Sequence, residues 1–149
     1  MPRWIAITAD HLKAAGYGTI VTRAQTLAAG SVDPVTEAIA NAVARVLRAV
    51  APGNVLDADP SKIPASFKGL AEKLALYALM ERIGVPLTPQ QEQVMRDITS
   101  DLNRTADNKT KVELADNPAP SPTFAATGMK AEALNVPPRK TGRERTSGL

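Results

Sequence analysis

The sequence predicts an all-α protein: a small four-helix body, one short helix followed by three longer ones, carrying a long extended C-terminal arm. Three observations predict it. Apolar residues recur at helical spacing around residues 35–50, 65–83 and 94–102. The helix-start pairs Asp33-Pro34 and Thr88-Pro89 stand directly ahead of two of these segments. Beyond Thr105 the period disappears, and five prolines fall between Pro118 and Pro138. The body is drawn over residues 1–104 and the arm over residues 105–149.

The first helix is short. Thr8 is its N-cap, "ADHLKAAG" follows, and Gly16 or Gly18 ends it in a left-handed conformation. Leu12 and Ile7 are expected to point inward. "YGTIVTR" is the one weak strand candidate of the body. In the second helix Asp33 caps, Pro34 takes the first position, and Val35, Ile39, Val43, Val46, Leu47 and Val50 make one apolar stripe. Asn41, Arg45 and Arg48 lie off that stripe, and Pro52-Gly53 stops the helix. The loop "GNVLDADPSKIP" is rich in turn formers.

The third helix, about Ala65 to Ile83, is apolar around much of its circumference, so it is expected at the centre of the core. Phe67, Leu70, Leu74 and Tyr77 form one line, and Leu76, Leu79, Met80 and Ile83 another. Gly84 closes it. The fourth opens with "LTPQQ", in which Thr88 and Gln91 make a capping box. Val94, Met95, Ile98 and Leu102 face inward, and the pattern fades after Asn103.

The arm reads differently. "KTKVELA" alternates and suits a strand edge, which could add to a neighbouring sheet through main-chain bonds. "NPAPSPTFAATG" then places three prolines ahead of a lone Phe124, the expected anchor on a partner, with the prolines as a stiff spacer. Fully extended, a 45-residue arm reaches on the order of 150 Å. Ordering each residue costs roughly 1–2 kcal/mol of backbone entropy, which partner surfaces must offset.

Composition excludes much. With no cysteine there is no disulfide, thiolate metal site or thiol catalysis. His11, the single histidine, is read as a structural or exposed residue. Asp57 and Asp59 in "LDADP" lack the glycine and final glutamate of a calcium loop and read as a turn before a helix. "GYG" at Gly16–Gly18 is no dinucleotide fingerprint, and no phosphate loop is present. No catalytic residues, cofactor or metal site are therefore assigned, and an enzyme is not expected. No apolar run suits a signal peptide or the ~18 residues of a membrane span, so a soluble protein made in the cytoplasm is expected.

The net charge is +3, but residues 1–104 hold 11 Lys/Arg against 10 Asp/Glu and residues 105–149 hold 7 against 5. The basicity gathers in the final "RKTGRERTSGL". A small helical DNA-binding protein using that end as a basic arm is the alternative reading, weakened by a nearly neutral body. A helical scaffold that binds one protein partner as a dimer is a third.

The order of elements resembles a known family. "ITADHL" near the start, a helix after "VDP", a turn-rich loop ending in proline, "LAEKLALYALMERIG", a last helix and an extended tail are similar to head–tail connector, or adaptor, proteins of tailed bacteriophages and gene-transfer particles. The similarity spans roughly Ile7 to Leu114. It implies a helical virion protein of the neck, assembled in the host cytoplasm, forming a ring usually of twelve copies below the portal. Such a ring extends the DNA channel toward tail-side neck proteins, with DNA only as non-specific channel contents. The resemblance also implies contacts with the portal or with neighbouring subunits from Lys109, Lys111, Val112 and Leu114, with Phe124 further along the arm. In a ring, Asn41, Arg45 and Arg48 become possible channel-facing positions. The tail is longer than the family pattern.

Overall fold

The computed structural model of the chain describes residues 1–28 and 32–120. Its first element is a short strand, β1 (Trp4–Ala6). Thr8 then caps α1 (Ala9–Leu12): His11 N–H donates to Thr8 Oγ1 at 3.4 Å, and Thr8 N–H donates back to His11 Nδ1 at 3.2 Å. The histidine thus plays the reciprocal part usually taken by Glu or Gln in a capping box. A wide π-type turn over Lys13–Tyr17 follows, kinked at Gly16, whose φ of 91° is the left-handed value the sequence led us to expect.

The chain then enters α2 (Gly18–Leu27). This corrects the strand reading of "YGTIVTR". Its β-branched residues favour a strand locally, but Val21 and Ala24 lie one turn apart and bury together, with Tyr17 and Ile20 packed beside them. Burial of a helical face outweighs a propensity difference of a few tenths of a kcal/mol.

Asp33 caps α3 (Pro34–Val50), accepting from Val35 N–H at 3.3 Å and from the Thr36 hydroxyl at 2.8 Å. Val35, Val43, Val46 and Val50 are buried as the stripe demands, together with Ala38, Ala42 and Ala49. After a loop, β2 (Lys62–Pro64) pairs antiparallel with β1, Trp4 opposite Pro64 and Ile5 opposite Ile63. Strands of three residues are too short to show an alternating pattern, which is why no periodicity marks this pair.

A 3₁₀ turn, Ala65–Phe67, leads into α4 (Lys68–Arg82), which buries Ala71, Leu74, Ala75, Leu76, Tyr77, Leu79 and Met80. Gly84, with φ of 71°, closes it: Gly84 N–H bonds to Glu81 O and Val85 N–H to Met80 O. The Thr88–Gln91 capping box opens α5 (Pro89–Ala106), which runs past residue 104 and buries Thr105.

The described residues are therefore mostly helical, with one small two-stranded sheet among them. The α3–α4 pair is the most extensive contact, α5 packs on α3, and α2 packs on both α3 and α4. The alanines of α3 and α4 let their backbones approach closely, and a surface ion pair, Arg82 to Glu37 at 2.6 Å, crosses between them.

Candidate interaction surfaces

Two surfaces carry the residues that the sequence singled out. The first is α3 where it borders α5. Asn41, Arg45 and Arg48 recur at four- and three-residue spacing, so the helix brings all three to one exposed ridge. Arg45 reaches across to α5, donating from Nη2 to Thr99 Oγ1 at 3.1 Å. Arg48 flanks a shallow groove with Asn103 and Ala106. Asn41 and Arg45 rim a larger open groove of about 640 Å³ between α3, α4 and the α4–α5 connection. Its floor is apolar: Ala38, Ala42, Leu74, Tyr77, Leu87 and Met95. Burial, and then the neighbouring Tyr17, hold the Tyr77 phenol above its ordinary pKa, so this floor stays uncharged.

The second surface is built by the residues after α5. Asn108 takes a left-handed φ of 56°; its N–H bonds to Thr105 O and Lys109 N–H to Arg104 O, a Schellman stop. The chain then reverses and runs as a strap, residues 111–119, across the sheet and the 54–59 loop. Val112 is 9% exposed and packs into the core. Trp4, itself 2% exposed, donates its indole N–H to Glu113 O at 3.2 Å. Ser66 Oγ donates to Glu113 Oε2 at 2.8 Å.

Two carboxylates complete the fastening from opposite sides. Asp116 Oδ2 on the strap accepts Arg3 N–H at 2.7 Å and Trp4 N–H at 2.9 Å. Asp57 Oδ2 on the body accepts Asn117 N–H at 3.0 Å. Backbone bonds from Ala58 N–H to Asn117 O, 2.7 Å, and from Ala119 N–H to Leu56 O, 2.8 Å, close the strap. The Asp59 N–H is the largest influence holding the Asp57 carboxyl below its ordinary value, the Asn117 N–H adds to it, and burial opposes both. So "LDADP" is a turn, as expected, and also the clasp for a distant segment.

The portal-contact residues thus separate. Val112 is buried in this chain's own core while the strap lies on the body. Lys109 pairs with Asp107 at 3.0 Å on the surface, Lys111 is exposed, and Leu114 is 74% exposed. Phe124 and the rest of "SPTFAATG" lie outside the described residues. "KTKVELA" does not form a regular strand; what its neighbourhood pairs with is its own body. Trp4, Ser66 and Asp116 were not singled out, and no periodicity could have flagged contacts this far apart in sequence.

Among the described residues, no three His, Asp or Glu side chains gather as a metal site would require. No helix among them is long and apolar enough to cross a membrane. No protein-family model, curated protein or solved structure matches the chain.

Proposed function

We propose that the chain is a structural subunit of a ring-shaped head-to-tail connector in a tailed phage or gene-transfer particle. In this reading copies of the chain surround the DNA channel below the portal, tail-side neck proteins follow, and the C-terminal arm docks on the portal. The supporting observation is the strap. It holds the chain to the body through Ala119, so that residues 121–149, proline-bearing and basic at their end, start from a fixed point on a small helical body. At ~3.3 Å per residue that remainder reaches at most about 95 Å. Arm contact through a fixed base suits docking on a larger assembly better than it suits chemistry on a small substrate.

The experiment is a pull-down of portal protein by the full chain and by a chain ending at Pro120. The shorter chain should keep its far-ultraviolet helical spectrum and lose docking. Docking undiminished by that cut would sink the arm's assigned role, and no portal binding by the full chain would sink the connector reading.

A further inference from the structure

We propose that residues 111–119 exchange between copies of this chain, the strap of one copy seating on the sheet and the 54–59 loop of the next. The bonds that fasten it are indifferent to which copy supplies it. Arg3, Trp4, Leu56, Asp57, Ala58 and Ser66 provide them, all far along the sequence from α5, the helix the strap leaves. The cleft in any copy therefore recognises a strap by its carboxylate at Asp116, its Glu113 carbonyl and side chain, and the apolar Val112.

The connection between α5 and the strap is short and held in a left-handed bend. Asn108 is the one non-glycine with positive φ among the described residues, and its side chain rests against Gly53, where even an added Cβ would lie 2.6 Å from Asn108 Oδ1. Opening that bend lets α5 continue and carries the strap away from its own cleft. Short hinges between a helix and a docked terminal segment are where exchange between identical chains arises. Leaving the body frees Val112, the one strap side chain buried in the core, and uncovers Trp4, while the helices keep their own contacts. Strap separation is then a local opening well below global unfolding. A strap given to the next copy, while a third strap is received, makes a head-to-tail contact that closes into a ring when the rotation allows.

This inference shares with the connector reading only the self-association of the chain. The chain has no cysteine, so single substitutions report cleanly. Full-length Ser66→Cys and Glu113→Cys copies, carrying different tags, are co-expressed, purified as associated species and treated with a short bis-maleimide, which spans the length of the lost Glu113 side chain. Exchange predicts a cross-link between the two tags; the double variant, diluted to monomer, should cross-link within one chain. Associated copies that yield no cross-link between tags, while the double variant cross-links internally, overturn the proposal.

The hinge gives a second measurement that needs no cross-link. Asn108→Gly, at ease with positive φ, should lower the oligomer-to-monomer ratio in native mass spectra. Asn108→Val, which resists it, should raise the ratio about fivefold. Ratios unchanged in both variants, or a full chain that stays monomeric at every concentration, also overturn it. Absent exchange with intact portal docking would leave the connector reading standing, and exchange without docking would remove that reading alone.

Discussion

Trp4 donates its backbone N–H to Asp116 and its indole N–H to the Glu113 carbonyl, so one buried side chain joins the sheet to the strap. Trp4→Phe keeps most of the apolar volume and leaves that carbonyl without its partner, which should lower stability by about 1–2 kcal/mol. Trp4→Ala also opens a cavity and should lower it by about 3–5 kcal/mol. Urea midpoints separate the two, and equal losses would mean that the indole bond, rather than packing, holds the site. A second residue-scale effect is acid sensitivity. Burial pushes the Asp33 carboxyl up, but bonds from Thr36, Val35 and Gln25 outweigh it; Asp57 is lowered chiefly by the Asp59 N–H, and Asp59 chiefly by the Ser61 hydroxyl. All three therefore sit below the ordinary 3.8 when folded. The unfolded chain takes up these protons first, so the stability they contribute is complete above about pH 4 and is lost as pH falls through the folded values. Asp57→Asn should give a shallower acid limb in melting temperature against pH, and an unchanged limb would show that this clasp does not titrate with folding. The sequence marked Asp57 as a turn residue, and its Oδ1 does hold the local Asp59 N–H, but its Oδ2 holds the N–H of residue 117. Distant pairing of that kind leaves no local pattern.

At the scale of elements, what the sequence made legible was what each helix does by itself. Asp33-Pro34 and the Thr88–Gln91 box start helices where expected, because a cap satisfies N–H groups within four residues of itself. The apolar lines of α4 were legible for the same reason, since a helix buried on several sides must be apolar on several sides. α2 was not legible: "GTIVTR" has β-branched residues in a row, and only its packing on α3 and α4 selects the helix. The β1–β2 pair failed from the other direction, being three residues per strand with partners nearly sixty positions apart. Capping makes a quantitative test. Thr88→Ala removes the side-chain acceptor of Gln91 N–H and should lower stability by about 1 kcal/mol. Because Met95 and Leu87 line the α3–α4 groove, fraying there should also raise amide exchange in residues 87–92 ahead of the core of α4. Exchange that rises equally throughout α4 and α5 would show that the cap acts on the whole fold instead.

Across the whole molecule, the folded unit extends to residue 119 because the strap returns to the strand that begins it. The N-terminal residues, the 54–59 loop and the segment after α5 close over one another, while α3 presents the exposed ridge of Asn41, Arg45 and Arg48 beside α5. A truncation series separates body from arm. A chain ending at Pro120 keeps every contact described here, so its melting temperature is the reference for the shorter cut. A chain ending at Thr110 loses Val112 from the core, uncovers Trp4, and leaves Asp57 without the Asn117 N–H. The valine alone is worth roughly 1.5–3 kcal/mol when buried. The shorter chain should therefore melt lower, with most of the helical spectrum retained. Calorimetry on the two truncations measures the difference directly. If the chain ending at Thr110 is as stable as the one ending at Pro120, the strap adds nothing to the body on which it lies, and its contacts matter only when a second copy supplies them.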